Sequence, residues 1–259
     1  MDIDKGNQEE LDINVDSLWL IGPRAKGGKR ENNYHGNFVP QIPDQMIRRY
    51  TKKNGIVLDM FMGSGTTLFE AETLGRSYIG FDINDSIIAY VQKKMVGSKI
   101  KYLIHNCDIT NQENISYMLS DDLIKLQDTG VDLIMSHPPY LDIVRFTNKK
   151  EDLSNITDLN TFIASYIKGV KNVWPFLKRN QYLVLVIGDL WRYGEVIPLG
   201  FYLMNAIRQS FNCQLKGIVI KDIVGNRGKL GSENIWKYRA LKSDTFLFKH
   251  EYIFVFKKT

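Results

Sequence analysis

From Gly55 onward, short apolar segments typical of strands alternate with longer segments typical of helices. The predicted strands are residues 56–61, 78–82, 101–107, 132–136 and 182–188, with residues 213–221 and 252–257 as a closing pair. The predicted helices are residues 66–74, 86–95, 161–177 and 198–211. Strands that are apolar throughout are buried on both faces, and their alternation with helices is typical of a parallel sheet. The chain is therefore predicted to form a doubly wound, mostly parallel α/β sheet.

Length and composition fit a single domain of this class. At 259 residues and 44% hydrophobic content, residues 17–259 can bury a full core, whereas the polar, mostly acidic residues 1–16 are predicted to form a disordered tail. No apolar run approaches the roughly 18 residues of a membrane span, so no membrane association is expected. Cys107 and Cys213 have neither metal-ligand nor disulfide spacing, which indicates reduced thiols in a cytoplasmic protein without a metal site.

A glycine-containing turn follows the first predicted strand. Asp59 lies in the strand, Gly63 and Gly65 form the turn, and Thr66 opens the next helix. Glycines let a ligand approach the backbone closely, and a helix N-terminus presents free N–H groups to a phosphate or carboxylate. This arrangement is typical of the first turn in nucleotide-type cofactor sites, although a tight turn without a ligand would have the same sequence.

Acidic residues close the second and third predicted strands. Asp82 lies about twenty residues beyond the glycines, where dinucleotide folds place an acid for ribose hydroxyls, and Asp108 follows the third strand. The carboxyl ends of parallel strands line one crevice, so Asp59, Asp82, Asp108 and His137 are predicted to converge there. Each acid taken singly is more often a strand end or a helix cap.

The fourth predicted strand ends in His137-Pro138-Pro139-Tyr140. The two prolines lack N–H donors and fix φ near −65°, so the flanking side chains and carbonyls point in defined directions. A rigid turn of this kind can hold a planar substrate that donates hydrogen bonds. Taken alone, the tetrapeptide is more typical of a loop that ends a strand.

In this order, the segments resemble motifs of the amino-directed, S-adenosylmethionine-dependent DNA methyltransferases, which modify N6 of adenine or N4 of cytosine. Residues 59–67 resemble the cofactor loop, residues 75–82 the next motif, and residues 35–43 the segment that packs across the methionine end of the cofactor. The resemblance is firm over residues 33–140 and looser elsewhere. It implies a mostly parallel, seven-stranded, Rossmann-like methyltransferase sheet with an antiparallel last strand and small loop elaborations for DNA recognition.

The resemblance also implies a role for each matching residue of the cofactor site. Asp82 would bind the ribose hydroxyls, Asp108 the adenine amino group, and Phe61 would flank the adenosine or the sulfonium. The other implied cofactor-binding residues are Phe38, Pro40, Asp59, Gly63, Gly65 and Thr66. Because the sulfonium already activates the methyl group, the protein mainly aligns donor and acceptor and excludes water, and no metal ion is implied.

The tetrapeptide supplies the implied catalytic residues His137, Pro138, Pro139 and Tyr140. In the family, the residue before the prolines and the carbonyl of the first proline accept the two protons of the target amine, and the tyrosine stacks on a base rotated out of the duplex. Hydrogen-bond acceptors placed in this way favour the more nucleophilic form of the amine.

The chain departs from the family at His137, where Asp, Asn or Ser is usual. A neutral imidazole accepts one N–H bond and a protonated one accepts none, so activity is predicted to fall as pH drops through the titration of this histidine. A rate that stays flat from about pH 8 to about pH 5.5 would argue against His137 as acceptor. The alternative is that the Pro138 carbonyl suffices. Histidine also leaves the choice between adenine and cytosine open.

DNA recognition is assigned to short segments, because the chain has no insert of a size that would form a separate recognition domain. The candidates are the basic glycine-rich arm at residues 24–30, the loop at residues 141–158 and the region of residues 222–249. The alternative interpretation of residues 222–249 is an exposed, charged β-hairpin or loop. The net charge of +5 permits a polyanionic partner. The implied DNA-binding residues are Arg24, Lys26, Lys29, Arg30, Arg227, Lys229, Lys237 and Arg239.

The sequence analysis therefore favours a site-specific methyltransferase of double-stranded DNA, in restriction-modification or DNA protection. Two other functions stay open: an RNA amino-methyltransferase, and a cofactor-binding but inactive subunit of another methyltransferase. A restriction endonuclease or a second subunit would be compatible partners, and the sequence does not determine the oligomeric state.

Overall fold

The computed structural model describes residues 12–30, 34, 36–224 and 233–259. Within them the strands are β1 (Leu18–Trp19), β2 (Ile56–Asp59), β3 (Ser77–Asp82), β4 (Tyr102–Asn106), β5 (Val131–Ser136), β6 (Leu177–Ile187), β7 (Leu190–Arg192), β8 (Glu195–Ile197), β9 (Cys213–Asp222) and β10 (His250–Lys258). The α-helices are α1 (Gln41–Tyr50), α2 (Thr66–Thr73), α3 (Asp85–Lys94), α4 (Gln112–Leu126), α5 (Leu159–Val173), α6 (Leu199–Ser210) and α7 (Glu233–Lys242).

Eight of the described strands form one sheet in the order β1-β9-β10-β6-β5-β2-β3-β4. Strand β10 is antiparallel to both of its neighbours, whereas the pairs from β6 across to β4 are all parallel. Strands β7 and β8 form a separate two-stranded antiparallel sheet. The predicted doubly wound, mostly parallel α/β sheet is therefore confirmed.

The predicted number of seven strands is wrong for this sheet, because β1 adds an eighth strand parallel to β9. Trp19 anchors this two-residue strand, since its side chain is buried and its indole N–H donates to the carbonyl of Asp16. Upstream, the backbone N–H of Asn14 donates to Oε1 of Gln45 on α1 over 2.7 Å. The described part of the predicted acidic tail, residues 12–16, thus contacts α1.

Helices cover both faces of the sheet because alternate residues of each strand point to opposite sides. Along β2, Leu58 packs in the cluster that contains α4, α5 and α6, and Val57 packs in the cluster that contains α1, α2 and α3. The largest buried side chains of the first cluster include Phe162 and Tyr166 of α5. Two apolar layers therefore sandwich the sheet and hold the carboxyl ends of its parallel strands in place.

Several elements differ from the predictions. Helices α1 and α4 were not predicted, and β6 begins at Leu177 rather than at residue 182. The region of residues 222–249 contains the helix α7 instead of a continuous loop or hairpin. None of the helices in the described parts of the chain has the length and hydrophobicity that a membrane crossing requires.

Candidate active site

The turn between β2 and α2 has the backbone geometry that glycine permits. Gly63 and Gly65 have φ angles of 51° and 87°, in the left-handed region that other residues rarely adopt. A Cβ atom at Gly65 would also lie 3.0 Å from the ring of Phe69. Glycine is therefore needed at position 65 for both conformation and packing, which supports the sequence reading of this turn.

Asp82 ends β3 beside this turn. Its carboxylate accepts hydrogen bonds from the backbone N–H of Gly63 at 2.8 Å and from that of Asn84 at 2.9 Å. Loss of solvent around the carboxyl group raises the pKa of Asp82 to about 6, although these two hydrogen bonds oppose the shift. Each oxygen keeps a further lone pair, so the group can still accept hydrogen bonds from a ligand hydroxyl.

Asp59 ends β2 but has a different environment. Its side chain is buried, and Oδ1 accepts the backbone N–H of Phe61 at 3.1 Å. Burial raises the pKa of Asp59 to about 6, although hydrogen bonds from Thr67 and from the backbone of Phe61 oppose the shift. Asp59 does not line the cavity described below, so the structure places it behind the loop rather than in contact with the space for a ligand.

Asp108 follows β4. Its two oxygens accept from the backbone N–H and the hydroxyl of Thr110, at 2.8 Å and 2.9 Å. This local turn fixes the carboxylate, which borders the same cavity as Asp82. Asp82 and Asp108 are thus brought together as the strand-end pattern predicted.

A cavity of about 1120 Å³ joins the glycine turn to the tetrapeptide that follows β5. The sequence-predicted residues that line it are Phe38, Phe61, Gly63, Thr66, Asp82, Asp108, His137, Pro138, Pro139 and Tyr140. Three other predicted cofactor-binding residues, Pro40, Asp59 and Gly65, do not line it. They are buried in the surrounding framework, where Pro40 precedes the first turn of α1.

His137 lies between two aromatic rings in the cavity wall. Its imidazole contacts Phe38 and Tyr140 in perpendicular arrangements, with ring centroids 4.8 Å and 5.8 Å away. Burial lowers the pKa of His137 to about 4, with the positive charge of Lys221 acting in the same direction and Glu251 opposing it. The ring is therefore neutral at physiological pH and can accept a hydrogen bond.

This pKa changes the pH prediction that the sequence supported. That prediction placed the titration of His137 near the reference value for histidine, so that activity would fall between about pH 8 and about pH 5.5. With a pKa of about 4, the imidazole stays neutral throughout that interval. A flat rate over this interval is now compatible with His137 as an acceptor.

The ring of Tyr140 is held at its edge and at its hydroxyl group. The OH donates to Oε2 of Glu251 at 3.2 Å. A Cβ atom at Gly188 would lie 3.0 Å from the ring, so the absence of a side chain there makes room for Tyr140. These contacts restrict the ring to one place in the cavity wall.

Several residues of the cavity wall were not predicted as site residues, and among them are two contacting pairs. Tyr34 and Phe146 stack on each other with centroids 5.7 Å apart, and Lys221 and Glu251 form an ion pair. The sequence signals were two charged residues, Lys221 at the end of the predicted strand 213–221 and Glu251 directly before the predicted strand 252–257. Tyr34 and Phe146 are too far apart in sequence for a local pattern to connect them.

The basic arm packs against α2. Arg30 makes two 2.7 Å hydrogen bonds to the carboxylate of Glu70, whose side chain is fully buried, and Lys29 pairs with Glu72 at 2.6 Å. Arg24 donates to the carbonyl of Phe38. Arg24, Lys26 and Arg30 border the cavity, and Lys29 does not. The arm is therefore attached to the fold at the cavity entrance.

The remaining predicted DNA-binding residues lie in the region of α7. Lys237 and Arg239 are on this helix, away from the cavity lining, and the guanidinium of Arg239 lies over the ring of Trp236 at 5.3 Å. The side chains of residues 234–242 on α7 are exposed or partly exposed. Arg227 and Lys229 lie outside the described residues.

Solved structures with this architecture share the class of fold. An S-adenosylmethionine-dependent methyltransferase from Methanosarcina mazei aligns with a TM-score of 0.51 and 14% identity, over 82% of this chain and 96% of that one. The [4+2]-cyclase SpnF aligns with a TM-score of 0.52 and 14% identity, over 92% of this chain and 89% of that one. The fold is that of the S-adenosylmethionine-dependent methyltransferases, and at these identities the likeness concerns the fold alone.

Sequence comparison indicates which kind of methyltransferase the chain resembles. Residues 2–93 match the family described as DNA methylase, which comprises the N6 and N4 enzymes. The type II methyltransferase M.MjaII from Methanocaldococcus jannaschii is 30% identical over 121 residues, which are 46% of this chain and 23% of the relative. M.MjaI from the same organism is 33% identical over 95 residues, 36% of this chain and 31% of the relative. Over these segments the chain is similar to the DNA amino-methyltransferases.

The matched segments span less than a third of the length of these two relatives. Another relative, M1.MboII from Moraxella bovis, is 51% identical, but over 41 residues that are 16% of each protein. Likeness to the curated relatives is thus concentrated in part of the chain.

Proposed function

We propose that this protein transfers a methyl group from S-adenosylmethionine to the exocyclic amine of adenine or cytosine in double-stranded DNA. The observation that carries the proposal is the single cavity shared by the cofactor-loop residues Phe61, Gly63 and Asp82 and the tetrapeptide at residues 137–140. Donor and acceptor must meet within one enclosed space for transfer to occur. The match of residues 2–93 to the DNA methylase family supports the same reaction.

The residues of the cavity fit the cofactor. The carboxylate of Asp82 has lone pairs for ribose hydroxyls, and Gly63 leaves the loop backbone open at the cavity wall. Phe61 presents an aromatic ring, which suits a neighbouring positive charge. When bound, S-adenosylmethionine supplies a methyl group that its sulfonium already activates. The chain's own residues then orient the two reactants and exclude water.

The tetrapeptide orients the target amine. Neutral His137 accepts one amino proton and the carbonyl of Pro138 accepts the other, which favours the nucleophilic form of a nitrogen whose lone pair is otherwise delocalised. Tyr140 stacks on the base, which must leave the duplex for its amine to reach the cavity. The prolines keep these groups rigid because their φ angles are restricted.

The DNA partner is supported by the positive charge around the cavity entrance and on α7. Arg24 and Lys26 border the cavity, and α7 adds Lys237 and Arg239. Contacts of this kind bind phosphates without regard to sequence. We assign the enzyme a role in DNA protection or restriction-modification, for which a restriction endonuclease or a second subunit would be the partner, because its relatives are named type II methyltransferases.

The test is incubation of the purified protein with methyl-labelled S-adenosylmethionine and either duplex DNA or RNA, followed by mass spectrometry of the nucleosides. The expected product is N6-methyladenine or N4-methylcytosine, and its identity settles the target base. Asp82→Ala serves as the inactive control, and Lys125→Ala, a surface change on α4, as the active one. Label in RNA alone, or no product despite bound cofactor, would overturn the proposal.

A further inference from the structure

A buried ion pair joins the two strands at one side of the cavity. Lys221 of β9 and Glu251 of β10 lie directly opposite each other in the antiparallel register. Nζ of Lys221 lies 3.0 Å from Oε1 of Glu251, and their side chains are 4% and 9% exposed. Both residues line the cavity that contains the tetrapeptide.

The stability of the fold does not account for this pair. Removing two charges from water costs several kcal/mol per ion, and apolar residues of similar volume often serve a fold equally well or better. The next residues of β10, from Tyr252 to Phe256, are buried hydrophobic side chains. Lys221 and Glu251 are thus a charged exception at the point where the strands reach the cavity.

The pair is connected to the tetrapeptide through Tyr140. Oε1 of Glu251 accepts from Lys221, and Oε2 accepts the hydroxyl of Tyr140 at 3.2 Å. Hydrogen bonds to a carboxylate are stronger than those between neutral groups, so the acceptor restrains the ring effectively. The edge of the Tyr140 ring lies against Gly188, and the ring is also in perpendicular contact with His137.

We propose that Lys221 and Glu251 are positioning residues that hold Tyr140 in the orientation needed to stack on the extruded base. Lys221 aims the carboxylate of Glu251, and Glu251 in turn fixes the hydroxyl end of the ring. Neither residue takes part in the methyl transfer itself. The inference rests on the proposed function, since it assigns the pair to the base-binding half of the same cavity.

The proposal predicts different effects on the base-binding half and the cofactor-binding half of the cavity. Loss of the restraint on Tyr140 should slow methyl transfer while cofactor binding, which depends on Asp82 and its neighbours, stays unchanged. The measurements are the single-turnover rate on duplex DNA at saturating cofactor and, separately, the dissociation constant of the cofactor.

Three variants test the connection. Glu251→Met removes the acceptor and Tyr140→Phe removes only the hydroxyl, and each is expected to slow transfer about tenfold, the effect of losing a hydrogen bond to a charged group. The double variant is expected to be no slower than the slower single variant, because both changes break one interaction. Glu251→Gln retains an acceptor and should recover most of the rate. Tyr140→Phe keeps the proposal testable if Glu251→Met fails to fold.

The matched control is the ion pair of Lys178 and Asp132, whose atoms Nζ and Oδ1 are also 3.0 Å apart and which does not line the cavity. Lys178→Met is expected to lower the melting temperature without changing the transfer rate. Additive losses in the double variant, wild-type rates in both singles, or a parallel loss of cofactor affinity would each overturn the positioning role. Failure of the wild-type protein to methylate DNA would instead overturn the proposed function, and the inference with it.

Discussion

The backbone N–H of Gly63 donates a 2.8 Å hydrogen bond to Oδ2 of Asp82. This bond joins the turn after β2 directly to the end of β3, so the loop and the acid that we propose to bind the cofactor form one unit. The same carboxylate faces the cavity and has an elevated pKa. The protonation state of Asp82 should therefore affect both its hydrogen bond to the loop and the binding of a ligand.

Cofactor affinity is expected to fall as pH drops through the pKa of Asp82, which is about 6. Ribose hydroxyls donate to the ionised carboxylate, so the dissociation constant should rise about tenfold per pH unit below that value. Because this pKa is raised on folding, the contribution of Asp82 to stability has the opposite trend and decreases as pH rises through the same window. Equilibrium dialysis of labelled cofactor from about pH 5 to about pH 8 measures the effect on cofactor affinity.

Two asparagine variants separate Asp82 from its neighbour. Asp82→Asn should weaken cofactor binding about tenfold at neutral pH and remove the pH dependence. Asp59→Asn should keep the dependence, because Asp59 has a similar pKa of about 6 but does not line the cavity. A pH dependence that follows Asp59 instead would contradict the assignment of Asp82.

The rate of methyl transfer at saturating cofactor is expected to stay flat from about pH 8 to about pH 5.5 and to fall towards pH 4. Burial lowers the pKa of His137 from 6.5 to about 4, so protonation removes the acceptor only at the low end. Since the folded state resists protonation, stability should likewise decrease as pH falls from 6.5 towards 4. Single-turnover rates on duplex DNA provide the profile.

Substitutions at position 137 test the acceptor directly. His137→Phe keeps an aromatic ring against Phe38 but cannot accept a hydrogen bond, and the rate should fall about 100-fold. His137→Asn retains a carbonyl acceptor and should keep most of the activity. A wild-type rate in His137→Phe would mean that the Pro138 carbonyl is sufficient.

Arg30 is expected to affect stability more than DNA affinity. Its guanidinium is paired with the fully buried carboxylate of Glu70, so Arg30→Met leaves an unpaired buried charge and should lower the free energy of unfolding by about 3 kcal/mol. Urea denaturation measures this loss, and adding Glu70→Gln should recover part of it.

Lys29→Met is the comparison, because its pair with Glu72 is partly exposed and should contribute less than about 1 kcal/mol. If Arg30→Met left stability intact and weakened DNA binding, the arm would act through phosphate contacts as the sequence pattern suggested.

The helix α7 is expected to contribute phosphate contacts. The double variant Lys237→Ala/Arg239→Ala should reduce the slope of log affinity against log salt by about 2, since each lost contact releases about one counterion fewer. Fluorescence anisotropy of a labelled duplex at several salt concentrations gives the slope. Lys125→Ala on α4 is the control, and an unchanged slope in the α7 variant would remove this helix from the DNA interface.

Patterns within single segments were sufficient to predict that several of the candidate residues lie close together, although Asp59 does not line the cavity as expected. The alternation of apolar strands with helices placed Asp82, Asp108 and His137 at the same sheet edge, because parallel strands end together. Both glycines at the turn have a left-handed backbone conformation that favours glycine, and at Gly65 a side chain would also crowd Phe69. Segments without such periodicity, such as β1 and α1, were missed because their positions depend on burial against distant strands.

The roles of the basic arm and of His137 depended on partners far away in sequence. The sequence predicts Arg30 to be a phosphate ligand, whereas the structure shows that it is paired with Glu70. The sequence predicts an ordinary pKa for His137, because its contacts with Phe38 and Tyr140 appear only in the structure. Desolvation and ion pairing arise from contacts between elements, and a linear pattern does not contain them.

The sequence by itself determined the class of fold and the placement of Asp82, Asp108 and His137 beside one cavity, since these follow from periodicity and from motifs whose residues are close in the chain. Only the tertiary structure decided that the two halves line one cavity, that burial lowers the pKa of His137, and that Glu251 contacts both Lys221 and Tyr140. The physical reason is that burial and electrostatic coupling depend on distances in space, and the chain brings Glu251 to Tyr140 across 111 positions only when the sheet has formed.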